Sequence, residues 1–262
     1  MDRSRLIELF NRDQRQQVEY PSSRREVVPG IVRLVALEQG GKGTVIYSDL
    51  DGADVEAVIG EQVAYFEQLG QAFEWKVFDF DRPPDLKERL ARHGFEVGEE
   101  EALLVLDLQQ APARLLQPVA QDIRRVTSSE ELDDVIGVEE AVWGEAMDDL
   151  RSYLASGLES EPERLSIYMA YEAGVAASAA WIYFPRSSQF ASLWGGSTLA
   201  AYRGRGLYSA LLAVRLQEAL ARGARYLAVD ASPMSRPLLE KRGFELIGFT
   251  YECVWEGGQG RE

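Results

Sequence analysis

One cysteine and one histidine, Cys253 and His93, are all that the chain contains of the two side chains best suited to zinc. No internal disulfide can form, and no Cys/His cluster exists to hold a metal, so no metal cofactor is expected. Cys253 lies in the strand-like run FTYECVW and reads as a core residue, since no histidine neighbours it in sequence to activate a thiol. Long apolar runs are missing as well. The first residues, MDRSRLIELFNRDQRQQ, hold no apolar signal-peptide core, and no later segment reaches the roughly 18 uninterrupted apolar residues of a membrane span. A cytoplasmic protein without a membrane partner is expected. Positive charge is scarce: 28 Lys and Arg stand against 43 Asp and Glu, a net of -15. That balance argues against nucleic acid, whose backbone needs a basic surface, and favours cationic or neutral ligands. It leaves room for a local basic site inside an acidic protein.

What is present fits a folded α/β or α+β chain. Its 262 residues, 46% hydrophobic and 27% charged, suffice for one large domain or two smaller ones. Runs rich in β-branched and aromatic residues predict strands at 31–37, 43–50, 73–80 and 102–108, with helical patterns at 53–69 and 84–92. QQAPARLLQP, residues 109–118, reads as a linker. A second series follows: a strand at 119–126, acidic helices from 128 to about 160, strands at 165–172, 175–184 and 189–199, a helix at 207–222, a strand at 225–230, a helix at 233–242 and closing strands at 244–255.

Displacing the sequence by 149 positions aligns Asp81 with Asp230, Pro84 with Pro233, Leu90 with Leu239, and Gly94-Phe95-Glu96 with Gly243-Phe244-Glu245, without a gap. Two matching halves are therefore expected: 1–112, then 113–118 as the end of the linker, then 119–262. His93, ahead of the first Gly-Phe, sits at a helix C-terminus and reads as structural. The second half is electrically divided. Residues 130–163 carry 12 acids and only Arg151 as a base, whereas the rest of that half is net positive.

The basic part contains AYRGRGLYSALL, residues 201–212, between a strand and a helix. Glycines there let successive N–H groups point into one concavity, and the helix N-terminus adds partial positive charge, which together make an anion site suited to a diphosphate. Neither GxxxxGK[ST] nor GxGxxG with its downstream acid is present, so the common triphosphate and dinucleotide motifs do not apply.

With its sequels RYLAVDAS and SRPLLEKRGFELIG, this stretch resembles the GNAT acetyltransferases, whose diphosphate loop reads Gln or Arg, two residues, Gly, one residue, then Gly or Ala. Arg203 and Gly206 match, and Tyr208 departs from the last position. The resemblance covers about 119–256 and implies an N-acetyltransferase using acetyl-CoA, with each half a mixed, mostly antiparallel twisted sheet flanked by helices. The tandem arrangement is similar to that of mycothiol synthase. By position, Gly196, Ser197 and Thr198 are expected to face the pantetheine arm and thioester, on a strand splayed from the one ending near Asp230. Arg203, Gly204, Arg205, Gly206, Leu207, Tyr208 and Ser209 are expected around the diphosphate, with Ser232 near the thiol or capping a helix.

The tyrosine that commonly protonates the leaving thiolate in this family is replaced by Leu239. Tyr208 and Tyr251 are candidate acids and Asp230 a candidate base; packing is the competing role for the tyrosines, capping for the aspartate. Glu139, Glu140, Trp143 and Glu145 in the acidic segment suit a small cationic amine, while a solvated helix face is the alternative for each carboxylate. The first half lacks the cradle, because YSDLDGADVEAV places Asp49, Asp51 and Asp54 where arginine and glycine are needed. A non-catalytic acyl-CoA sensor or scaffold is the alternative function. The expected assembly is a monomer or homodimer.

Overall fold

The structure, a computed structural model, describes residues 2–20, 22–38 and 40–257. In chain order the elements are α1 (Arg3–Phe10), β1 (Ser23–Val28), β2 (Ile31–Ala36), β3 (Gly43–Ser48), α2 (Val55–Leu69), β4 (Phe73–Phe78), α3 (Leu86–Arg92), β5 (Glu96–Val97) and β6 (Glu101–Asp107). They continue with β7 (Asp122–Val126), α4 (Leu132–Trp143), α5 (Asp148–Ser160), β8 (Leu165–Glu172), β9 (Val175–Tyr183), β10 (Phe190–Thr198), α6 (Leu207–Ala221), β11 (Tyr226–Ala231), α7 (Arg236–Glu240) and β12 (Glu245–Trp255).

By internal contacts the chain divides into two units, residues 1–104 with 230–241 and 245–262, and residues 105–229 with 242–244. This partition differs from the 1–112 and 119–262 division of the sequence. The reason is strand pairing: β12 is one continuous strand rather than several, and it runs antiparallel to β4 from Thr250↔Phe78 to Trp255↔Phe73. The linker is also no free tether. Leu115 is buried, and Gln217 Nε2 donates to the Leu115 and Gln117 carbonyls, both at 2.9 Å.

The first unit pairs its strands in the order β1-β2-β3-β4-β12, with β5 also on β12. The pairs β1–β2, β2–β3, β4–β12 and β5–β12 are antiparallel, while β3 with β4 is parallel over Gly43↔Phe73 to Val45↔Trp75. Alternation along β4 buries Phe73, Trp75 and Val77 against Ile59 and Phe66 of α2, and Cys253 closes the same core at 0% exposure, as its apolar setting predicts. Burial pushes the Cys253 thiol up to about 12.

The second unit runs β11-β10-β9-β8-β7, antiparallel except for β10 with β11. Its β9, VAASAAWIY, is rich in alanine, and the small side chains of Ala177 and Ala180 let Leu207 and Leu211 of α6 pack directly on the sheet. The mixed, mostly antiparallel arrangement flanked by helices is the one expected. Strand–helix–strand pieces spaced by 149 residues recur as well: β3, α2, β4 and α3 answer to β10, α6, β11 and α7.

Candidate active site

The parallel pairing of β10 with β11 spans only Phe190↔Tyr226, Ala191↔Leu227 and Ser192↔Ala228, while β10 continues to Thr198. Beyond Ser192 the edge of β10 opens. On its other edge β10 is held by β9, with a register shift between Gly195 and Ser197 that inserts Gly196 as a bulge. Gly195 and Gly196 have φ of +66° and +97°, a region that side-chain-bearing residues rarely occupy. The space is also full: a Cβ on Gly195 would lie 2.4 Å from the Trp181 ring, and one on Gly196 would lie 3.1 Å from the Tyr208 ring.

Beneath the bulge lies Arg215 of α6, 2% exposed. It donates to the carbonyls of Trp181 (3.0 Å), Trp194 (3.1 Å) and Leu211 (3.0 Å), which ties the helix to both strands at the irregularity. Burial lowers its pKa to about 10. Sequence reading missed Arg215, because an arginine in a helix reads as a surface residue.

The turn after β10 leads into α6 through Gly204 and Gly206, with φ of +77° and +84°. Gly206 is the N-cap, so no side chain makes a capping hydrogen bond at the helix end. The first bond of the ladder runs from Ala210 N–H to the Gly206 carbonyl at 2.9 Å, which leaves the N–H groups of Leu207, Tyr208 and Ser209 ahead of it. The corresponding turn of the first unit is closed differently. There Asp54 caps α2, its carboxylate accepting from Ala57 N–H at 3.2 Å, so the positive helix end already has an anion.

The two arginines of this turn are both exposed. Arg203 Nε donates to the Thr198 carbonyl at 3.1 Å, whereas Arg205 donates to the Ala201 carbonyl at 3.1 Å and pairs with Glu172 at 3.5 Å. A third cation, Arg242, unnoticed in the sequence, donates to Ser209 Oγ in the first turn of α6 and stands 5.9 Å from the Tyr208 ring centre. Gln121 also reaches the turn, with Nε2 3.2 Å from where a Gly206 Cβ would sit. Burial raises the pKa of Tyr208, with Arg215 and Arg242 opposing the shift.

On β10 the Ser197 carbonyl accepts from Ser178 Oγ at 2.6 Å, and Thr198 Oγ1 shares a hydrogen bond with the same hydroxyl at 2.7 Å. The Ser197 hydroxyl donates to Glu139 Oε2 of α4 at 2.7 Å. Trp143 Nε1 donates to both, 3.0 Å to Glu139 Oε2 and 3.3 Å to Ser197 Oγ. Glu139 is 2% exposed, so burial raises its pKa against these two hydrogen bonds. Trp143 is 63% exposed, and Glu140 and Glu145 are exposed around the end of α4, with Glu140 accepting from Met147 N–H at 3.3 Å.

The remaining expected residues belong to the first unit by contacts. Asp230 Oδ2 lies 2.6 Å from Lys76 Nζ. Ser232 Oγ accepts from Ser235 N–H at 3.3 Å, in the turn that starts α7. The Tyr251 hydroxyl donates to Glu100, and Lys87 Nζ lies 3.8 Å from its ring centre. Leu239 is buried at 1% exposure. His93 hydrogen-bonds Glu56 at 2.5 Å. Among the described residues, no group of three or more His, Cys, Asp or Glu is placed to hold a metal ion, and no helix is long and apolar enough to cross a membrane.

An opened parallel strand pair, a bulge on the longer strand and a glycine-capped helix after it define a GNAT-type fold. Residues 129–244 match the acetyltransferase (GNAT) family. The solved GCN5-related N-acetyltransferase from Kribbella flavida superposes with a TM-score of 0.65 at 18% identity, over 98% of this chain and 95% of that one. A conserved protein of unknown function from Staphylococcus epidermidis gives 0.65 at 15%, over 91% and 96%. A tandem GNAT protein from the clavulanic acid biosynthesis pathway gives 0.60 at 15%, over 93% and 86%. These likenesses establish the fold along nearly the whole chain. A sequence search of curated proteins finds no match.

Proposed function

We propose that this chain is a cytoplasmic N-acetyltransferase that moves an acetyl group from acetyl-CoA to a small cationic amine by direct attack, with residues 119–262 holding the donor and the first half holding none. The observation that carries this reading is the uncapped first turn of α6 beside the opened edge of β10. The N–H groups of Leu207, Tyr208 and Ser209 suit a diphosphate, and the helix dipole with Arg203 and Arg242 adds to the attraction. Gly204 and Gly206 keep the backbone close to the ligand. When bound, acetyl-CoA supplies an acyl group activated as a thioester.

Tyr208 is the best placed of the candidate acids. Its ring lies against Gly196, and its hydroxyl, whose pKa burial raises, can donate to a thiolate. Asp230 serves as no base and Tyr251 as no acid in this reading, because Lys76 pairs with the first and the hydroxyl of the second already donates to Glu100. Exposed Trp143, with Glu140 and Glu145, supplies an aromatic face and negative charge for an ammonium group.

Calorimetric titration of the full chain with coenzyme A, followed by thiol release from acetyl-CoA against a panel of primary amines, tests the proposal. One coenzyme A per chain and amine-dependent release are expected, and absence of binding sinks the reading. Buried Leu239, at the position of the family's tyrosine, favours the second reading of an acyl-CoA sensor or scaffold. Binding without release against any amine of the panel would select it.

A further inference from the structure

Two features of Glu139 go beyond a role in attracting the acceptor. Its Oε1 is buried without any hydrogen-bond partner, an arrangement that costs free energy and is rare for a carboxylate. Its other oxygen is approached from the surface by an N–H donor, because the mostly exposed Trp143 reaches both Glu139 Oε2 and Ser197 Oγ with one indole nitrogen. The indole therefore marks the side from which an N–H donor would reach this pair. Ser197 itself sits on β10 directly after the Gly196 bulge.

We propose that Glu139, with Ser197 as its hydrogen-bonded relay, is the proton acceptor for the amine, whose N–H groups take the place of the Trp143 indole N–H and of the missing donor to Oε1. This rests on the acetyltransferase reading above. One proton of the ammonium passes to the Glu139 carboxylate, directly or through Ser197 Oγ, and then to solvent. The freed nitrogen pair forms the C–N bond to the acetyl carbon, the C–S bond breaks with its electrons on sulfur, Tyr208 gives its proton to the thiolate, and the second nitrogen proton restores Tyr208.

The surroundings let Glu139 titrate on its own. Helix α4 packs on β9, β10 and α5 and on the short turn before it. No side chain of β10 is ionisable, and on β9 only Tyr183 is, with its hydroxyl donating to Glu161. On α5, Arg151 pairs with Asp133 at 2.7 Å, and Asp148 and Asp149 are exposed. In the preceding turn Glu131 accepts from the Thr127 and Ser128 N–H groups. No charged group contributes to the upward shift of Glu139, which burial alone drives.

The experiment uses the full chain labelled with 13C at the glutamate carboxyls, with the resonance that vanishes in Glu139→Gln assigned to Glu139. It should titrate above the ordinary carboxylate range, and move further up in Ser197→Ala and in Trp143→Phe, each of which removes one donor to the ionised form. Titration in the ordinary range, or no movement in Ser197→Ala, would overturn the proposal, and this holds whatever amine is used. In parallel, thiol release from acetyl-CoA is followed against pH with 1,4-diaminobutane as the probe amine. The wild-type rate should rise with the pKa found by NMR, and Glu139→Gln should lose about 100-fold or more in kcat while binding coenzyme A within twofold of wild type. Thiol release undiminished in Glu139→Gln overturns the inference but leaves the acetyltransferase reading standing. Failure of the wild type to bind coenzyme A overturns that reading instead.

Discussion

Lys76 Nζ closes on Asp230 Oδ2 at 2.6 Å, and the aspartate that the repeat pairs with Asp230 is treated alike: Arg15 grips Asp81 with two 2.7 Å hydrogen bonds. Each copy of this strand-end aspartate is thus neutralised by a cation from another element. The recurrence gives the strand-end aspartate the same ion-pairing role in both halves. Ion pairing at a strand end needs no ligand.

Lys76 also serves Glu74 and Glu101, whose pKa values burial raises. A carboxyl with a raised folded-state pKa adds stability that is fully present below its unfolded pKa and is lost as the pH climbs through the folded value. Without the lysine that loss deepens. Lys76→Met should destabilise the protein by about 2 kcal/mol near pH 7, less than for a fully buried pair because both partners keep some solvent contact. The gap from wild type should narrow towards pH 5, as read by urea unfolding at the two pH values.

Gly206→Val places a branched side chain at φ +84°, on the turn proposed to hold the diphosphate against its backbone. Coenzyme A affinity by calorimetry should fall at least tenfold, about 1.4 kcal/mol. Gly52, at φ +72° in the first unit, provides the control for strain alone. Gly52→Val should leave the affinity within twofold.

One coenzyme A per chain is expected, since Asp54 already fills the N-terminus of α2. Arg203→Glu combined with Arg205→Glu should abolish binding, because two reversals replace attraction by repulsion in a protein already at -15. Because the Arg205 charge is shared with Glu172, Arg203→Glu alone should cost more affinity than Arg205→Glu alone. Raising the salt should weaken wild-type binding, as both guanidiniums are exposed. A stoichiometry of two would refute the assignment of the first half.

Cys253 should be inert in the native protein. It is fully buried in the core of the first unit, and its thiol is pushed up to about 12. A thiol-specific chromogenic disulfide should report no reaction in buffer and one thiol per chain in denaturant. A fast native reaction would show that the β4–β12 pairing opens readily.

Local rules made much of this protein legible. Runs of β-branched and aromatic residues predicted β2, β3, β4 and β6 to within two residues, and period 3.6 predicted α2 and α6, because each pattern is written by neighbours along the chain. The Arg-Gly turn was legible for the same reason, since glycines at positive φ next to a helix start form a motif of a few residues. What stayed hidden depends on residues far apart in sequence. Ser197 and Glu139, 58 positions apart, become partners only when α4 packs on β10, and nothing in VEEAVWGEA distinguishes the buried Glu139 from the exposed Glu140. Arg215 looks like any surface cation until the bulge at Gly196 leaves carbonyls for it to bind. The pairing of β12 with β4 is likewise a choice among many apolar strands of similar length. Periodicity tells a strand which face to bury, but only the tertiary packing tells it which neighbour to join, because hydrogen bonds along a strand edge carry no sequence information of their own.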